Sequence, residues 1–205
     1  MKLPSVLKFF VSDKMLVAQW INSRSDEAAS ELYERYAHRI FGFVHDRFSN
    51  TELAEESVQH CFMVFTKNPL VFYEAEDFRN YIFKIAHNYC VKKVNEKRSE
   101  QSIFEDVEEQ RKFEVTDNRV DILQLILSNE VKKITREIID REVKENHKEI
   151  CYLYFCEGFK PKEIAEILNA SINTVKDVIK RYRLMILQHV SNIEKHKKYE
   201  EQRER

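Results

Sequence analysis

Between Phe78 and Arg98 the sequence FRNYIFKIAHNYCVKKVNEKR sets six bases (Arg79, Lys84, Lys92, Lys93, Lys97 and Arg98) against one acid, Glu96. Phe78, Tyr81, His87, Asn88 and Tyr89 are interleaved with them. Cations neutralise phosphates, rings stack on bases, and amides bond base edges. The combination suits single-stranded DNA better than duplex. A solvated Lys-rich face would carry the bases alone. A second set lies in PKEIAEILNASINTVKDVIKRYR, 161–183. Ile164, Ile167 and Leu168 form one apolar stripe at helical spacing, and Val175, Val178, Ile179 and Tyr182 form the next. Asn169-Ala170-Ser171 lies between them, with Asn169 able to turn the corner and Ser171 to cap the second helix. This is the layout of a helix-turn-helix, whose second helix enters a DNA major groove. Asn173, Thr174, Lys176, Asp177, Lys180, Arg181 and Arg183 are the polar residues that helix offers to duplex DNA.

Other chemistry finds little support. The sequence has no Ser-His-Asp or Cys-His set in a plausible loop, no HExxH and no Gly-rich phosphate loop. His38, His45, His60, His87, His147, His189 and His196 are scattered over helices, so no enzyme is expected. Cys61, Cys90, Cys151 and Cys156 each fall in an apolar run and none forms a CxxC. They read as reduced core thiols of a cytosolic protein. His60, Cys61, His87 and Cys90 match no familiar zinc-ligand spacing. No metal or cofactor is expected.

The elements that carry these residues are all helical. With 2 Gly and 3 Pro in 205 residues, the chain lacks the turn residues of a sandwich or doubly wound sheet. A short helix is expected from Asp13 to Ile21, and Ser25-Asp26-Glu27 is expected to start another, with Leu32, Tyr36, Ile40, Phe43 and Val44 on a long apolar stripe. Thr51 is expected to cap the next helix, whose core side is Ala54, Val58, Cys61, Phe62 and Phe65. Its other side shows Glu52, Glu55, Glu56, Gln59 and His60, a face that plain solvation would also explain. Asn68-Pro69 ends it, and a loop, 70–77, carries Phe72 and Tyr73. The basic helix spans 78–98, with Phe78, Ile82, Ile85, Tyr89 and Val94 toward the core.

From 99 to 120 there are seven acids against three bases and few apolar residues, the composition of a linker. A second helical block, 121–190, ends in the helix-turn-helix. The charged tail, 191–205, is expected to fray. Net charge is −1, but the sum hides segregation. Residues 160–198 carry nine bases against four acids. Two basic helical elements on either side of an acidic tether suggest two contacts with one polyanion. The apolar opening MKLPSVLKFFVSDKM is too short to span a bilayer, and no membrane insertion is expected.

The order of motifs resembles the extracytoplasmic-function sigma factors of bacterial RNA polymerase, over nearly the whole chain. LVAQWINSRSDEAASELYERYAHRIFGFVHDRF resembles that family's opening, and AEESVQHCFMVF its polymerase-binding helix. FRNYIFKIAHNYCVKK resembles its promoter-melting helix, including Phe78, Ile85, Ala86 and Asn88. EICYLYFCEGFKPKEIAEILNASINTVK resembles its C-terminal domain, with Glu157-Gly158 before the helix-turn-helix. The resemblance implies a cytoplasmic protein with two all-α domains, one for promoter melting and one for the minus-thirty-five element. It implies that Glu52, Glu55, Glu56, Gln59 and His60 dock on the clamp helices of the polymerase's largest subunit. Lys84, Lys92 and Lys93 would meet phosphates of the minus-ten strand, and Phe78, Tyr81, His87 and Asn88 would line its bases. A flipped base would sit in a pocket partly closed by the 68–77 loop. The linker would thread the nucleic-acid channel, and the second domain would bind the flap of the second subunit and the minus-thirty-five duplex.

The chain departs from the family pattern at several points. Val143-Lys144-Glu145 stands where a Leu-Pro pair is usual, and Asp177-Val178 replaces Ser-Arg in the recognition helix. His60 replaces an acid and Lys92 an Asp, and the following arginine run is thinned to Asn95-Glu96-Lys97-Arg98. Asp177 at the duplex face suggests that a DNA-bound recruiting factor helps place the protein, and an anti-sigma factor is a further expected partner. The main alternative is a free-standing helix-turn-helix regulator. It leaves the basic-aromatic helix and the acidic tether unexplained, and it predicts a dimer on a palindromic site. An interaction scaffold would need only the Glu-rich helices.

Overall fold

The computed structural model describes residues 11–75, 77–101 and 129–203. Every regular element among them is helical. The chain divides into two compact units, Met1–Asp106 and Val107–Arg205. Residues 102–120 of the expected linker and 121–128 of the expected second block lie outside the described residues; 99–101 complete a helix.

The first unit holds α1 (Asp13–Ser23), α2 (Asp26–Phe48), α3 (Thr51–Lys67), α4 (Pro69–Glu74) and α5 (Phe78–Gln101). Side-chain caps set most of the starts. Ser12 accepts from the Met15 amide and Ser25 from the Ala28 amide. α3 is capped by Asn50, whose Oδ1 accepts from the Leu53 amide at 2.9 Å, and Thr51 is already helical. The expectation for Thr51 is corrected by one residue: both types can cap, and the Asn50 side chain, one position before the helix, is the one that bonds the Leu53 amide. Two sharp exits use residues in the left-handed region, Arg24 (φ 49°) and Ser49 (φ 48°), in a chain with few glycines.

The expected loop 70–77 is also corrected. Pro69 occupies the first position of α4, where its missing N–H costs nothing, and one turn and a half of helix follows. Phe72 is thereby driven inward. It lies 5.3 Å from Phe65, 5.2 Å from Phe78 and 5.0 Å from Tyr81, ring centre to ring centre. Asp77 then starts α5, its Oδ1 accepting from the Arg79 amide at 2.8 Å. The core of this unit is built from Leu32, Tyr36, Ile40 and Phe43 of α2, Val58, Cys61 and Phe65 of α3, and Ile82, Phe83, Ala86 and Cys90 of α5. Phe43 and Phe83 meet at 5.6 Å.

The second unit holds α6 (Asn129–Glu142), a 3-10 turn at Glu145–His147, α7 (Lys148–Cys151), α8 (Pro161–Ile167) and α9 (Ile172–Arg203). α7 runs on as a π-helical turn, Tyr152–Cys156. Gly158, at φ 74°, ends that run, and the Phe159 amide reaches back to the Leu153 carbonyl at 2.9 Å. A Cβ on Gly158 would meet nothing, so glycine is needed there for the backbone angle alone. Glu163 reaches back to the Lys160 amide at 2.7 Å and secures the start of α8. Ile138, Ile139, Leu153, Phe159, Ile164, Ile167, Val175 and Val178 form the core. α9 does not stop near Ser191 but is helical to Arg203, because no Gly or Pro after Pro161 interrupts it. Among the described residues no helix is long and apolar enough to cross a membrane.

Candidate nucleic-acid interface

α5 buries Phe78, Ile82, Phe83, Ala86 and Cys90 on one side. Tyr81, Lys84, Asn88 and Lys92 recur at helical spacing on the other side, where Lys84, Asn88 and Lys92 are exposed and Tyr81 half-buried. Four of the expected minus-ten residues thus share one stripe. The others do not join it. Phe78 is only 4% exposed and packs against Tyr36, Phe65 and Phe72. Its ring has no face left for a base, so its expected contact is corrected to a supporting role in the core. The reason is the N-terminal position of Phe78, directly over the aromatic cluster that α4 brings in. His87 is half-buried on the flank away from Tyr81. Lys93 is turned toward α3, with its ammonium 3.8 Å from the Glu56 carboxylate.

The expected acidic face of α3 is likewise divided. Glu52, Glu55 and Gln59 are exposed and share one side with Met63. Glu56 and His60 are half-buried and face α5 instead. Glu56 accepts the Tyr89 hydroxyl at 3.1 Å, and the His60 ring stacks on Tyr89 at 4.3 Å and 20° between planes. Burial, with Lys92 and Lys93 nearby, lowers the His60 pKa. Burial and the bond to Glu56 raise that of Tyr89. Beside the outward acids, the Tyr33 and Phe62 rings meet at 4.8 Å, tilted by 54°, and Tyr33 and Met63 are exposed. Periodicity assigned Phe62 to the core and gave no reason to single out Tyr33 or Met63. An exposed apolar residue becomes visible only once its neighbours are placed.

The 68–77 segment presents Leu70, Val71 and Tyr73 outward, with the Lys14 ammonium 5.0 Å from the Tyr73 ring centre. Phe72 beneath them supports Tyr81 edge-on. The described part of this segment is thus joined to the α5 stripe through a ring contact.

In the second unit the helix-turn-helix has the expected corner. Asn169 stands at φ 51°, and the Ala170 amide bonds the Ala165 carbonyl at 2.9 Å. Ser171 Oγ accepts from the Asn173 amide at 3.3 Å. Val175, Val178, Ile179 and Tyr182 are buried. Opposite them Thr174, Asp177, Lys180, Arg181 and Arg183 are exposed, and Asn173 and Lys176 half-buried. Leu184 joins this face and is 70% exposed, a residue the apolar pattern alone left unassigned. Asp177 lies one turn from Asn173 and from Lys180-Arg181, so a carboxylate stands within the outward polar row.

The four expected thiols are free and buried. Cys90 lies 3.0 Å from Ser57 Oγ, and Cys61 points to the Ile82 carbonyl at 3.7 Å. Burial raises the Cys61 pKa and pushes Cys151 up to about 12. Among the described residues no three His, Cys, Asp or Glu side chains are grouped as a metal site.

No protein-family model and no curated protein matches the chain. Among solved structures, the chain is similar to the sigma factor RpoE from Bartonella quintana, solved in complex with the anti-sigma factor NepR. The likeness has a TM-score of 0.52 and 16% identity, over 79% of this chain and 96% of that one. At that identity it is a likeness of fold, and the fold is the all-helical one of a sigma factor.

Proposed function

We propose that this chain is a sigma factor of the extracytoplasmic-function type. It binds core RNA polymerase, selects promoters and holds the melted strand during initiation, without catalysing a reaction. The observation that carries this reading is the solvent-facing row Tyr81, Lys84, Asn88 and Lys92, in a chain that also carries a helix-turn-helix and has a sigma-factor fold. Lys84 and Lys92 meet phosphates, and Tyr81 and Asn88 meet unpaired bases. Glu52, Glu55 and Gln59 dock on the basic clamp helices of the largest polymerase subunit, with Tyr33 and Met63 as their apolar border. The second unit binds the polymerase flap and reads the minus-thirty-five duplex through Asn173, Thr174, Lys176, Asp177, Lys180, Arg181 and Arg183. Asp177 accepts hydrogen bonds from bases but repels phosphates, so a DNA-bound recruiting factor assists at promoters. Because the fold neighbour was solved with an anti-sigma factor, a partner of that kind belongs to the same reading. Its place of action is the cytoplasm, where the polymerase is.

The test is co-migration of the purified chain with bacterial core polymerase on a sizing column, without DNA. A stable one-to-one complex, lost on replacing Glu52, Glu55 and Gln59 together by Ala, is expected. No complex, with tight binding of duplex DNA by the protein alone, would establish the free-standing regulator instead.

A further inference from the structure

Met15 of α1 and Leu70, Val71 and Tyr73 of α4 are exposed apolar side chains on two helices that pack together. The Lys14 ammonium, 5.0 Å from the Tyr73 ring centre, joins the two rows. Single exposed apolar residues are ordinary, but four on adjoining helices form a patch that favours being covered. Beneath it Phe72 is buried and meets Tyr81 edge-on, so the patch adjoins the α5 row. Glu74, at the end of α4, is an exposed acid at its border.

The chain enters α1 at a fixed point beside this patch. The Val11 carbonyl accepts from Arg35 Nη1 at 2.8 Å, and Arg35 is itself held by Asp13 at 2.8 Å and by Glu31 at 2.9 Å. Lys14 and Met15 follow within the first turn of α1. The sequence MKLPSVLKFF, residues 1–10, precedes that anchor. Leu3, Val6, Leu7 and Phe10 recur at helical spacing, and the segment carries Lys2 and Lys8 and no acid. Its length suffices. Such a segment spans about 15 Å as a helix and up to about 35 Å extended, whereas α4 is about 9 Å long.

Resting on the reading of the α5 row as the single-strand face, we propose that residues 1–10 of this chain occupy the α1–α4 patch and, while seated, keep a DNA strand off the Tyr81 end of that row. The apolar stripe of the segment meets the patch, and Lys2 or Lys8 meets Glu74. A tethered segment needs little affinity of its own, because its effective concentration close to its anchor is of millimolar order. A strand that reaches Tyr81 must displace the cover. Its apparent affinity is reduced by the fraction of molecules left uncovered. A cover seated in about half to four-fifths of them weakens the strand about two- to five-fold.

Two measurements on the full chain test this. Leu7→Cys is combined with Leu70→Cys and, as a control, with Met63→Cys, an exposed apolar position on α3. The four natural thiols are buried and do not compete. Under a mild thiol oxidant the first pair should close a disulfide within the chain at least about ten-fold faster than the control, at a rate independent of protein concentration. Leu3→Gln with Leu7→Gln breaks the apolar stripe but keeps Lys2 and Lys8, so charge attraction to DNA is unchanged. This variant should bind a short single-stranded oligodeoxynucleotide about two- to five-fold more tightly than the natural chain. Equal disulfide rates in the two pairs would overturn the proposal. So would disulfides formed only between chains, which would make a second copy the occupant, or an oligonucleotide affinity that the Gln variant leaves unchanged or weaker. If neither the natural chain nor the Gln variant binds the oligonucleotide, the single-strand reading falls, and the disulfide rates alone decide whether residues 1–10 occupy the patch.

Discussion

Nδ1 of His147, in the turn before α7, lies 3.2 Å from the hydroxyl of Tyr182 on α9, and the Lys144 amide donates to the same oxygen at 3.4 Å. Tyr182 is buried, and its ring meets His147 edge-on at 5.7 Å. The phenol therefore ties α9 to the turn at 145–147. Tyr182→Phe keeps the ring and removes the tie, leaving two polar groups without their partner. A loss of about 1–2 kcal/mol is expected in urea unfolding of the full chain.

The same pair sets a pH response. Burial, then Arg181 and Lys144, lower the His147 pKa. A neutral ring can accept the phenol proton; a protonated ring cannot. A lowered histidine pKa means that the unfolded chain binds more protons below its own value of about 6.5. Stability is therefore fully present above that pH and lost as pH falls through the lowered folded value. Unfolding midpoints should drop on acidification from about pH 7 to pH 5, and His147→Gln should make the drop smaller. An unchanged drop would show that the histidine does not contribute.

Phe78 and Asn88 lie on the same helix and should fail in different ways. Phe78→Ala empties a core position shared by three aromatic neighbours and should cost about 3–5 kcal/mol of stability. Asn88→Ala and Tyr81→Ala should leave polymerase binding intact and impair promoter opening, as read by permanganate reactivity of unpaired thymines. Their melting temperatures separate the two outcomes.

Opening should weaken steeply with salt. Lys84 and Lys92 on α5 and Lys180, Arg181 and Arg183 on α9 are exposed cations. If they neutralise about five phosphates, log affinity should fall with log salt at a slope of about −4. A flat response would contradict the assignment of the α5 row.

The buried thiols should be inert. With Cys61 pushed up by burial and Cys151 at about 12, neither is a thiolate at neutral pH. Alkylation of the native chain should be slow and should follow unfolding.

Much of the architecture was legible because it is local. Scarce Gly and Pro, stripes at helical spacing, Ser25 before its helix and the Asn169-Ala170-Ser171 corner each act within a few residues of chain, where backbone geometry and caps decide the outcome. Even the misplaced cap at Thr51 and the loop that became α4 are local errors. Pro69 signals both the end of one helix and the start of the next, and only the burial of Phe72 favoured the second.

The amino-acid order by itself determined most of the helices, which of them are basic, and that a helix-turn-helix follows, but not α4 or the run of α9 beyond Ser191. The tertiary structure alone decided which polar residues reach solvent. Glu52 and Glu56 are one turn apart on α3, as are Tyr89 and Lys93 on α5, and periodicity cannot say which member of each set a neighbouring helix will cover. Packing α5 against α3 left Glu52, Glu55 and Gln59 outside and set Glu56 and His60 against Tyr89 and Lys93. A single helix has no such distinction to make, because burial and ion pairing between distant residues exist only after the elements have met.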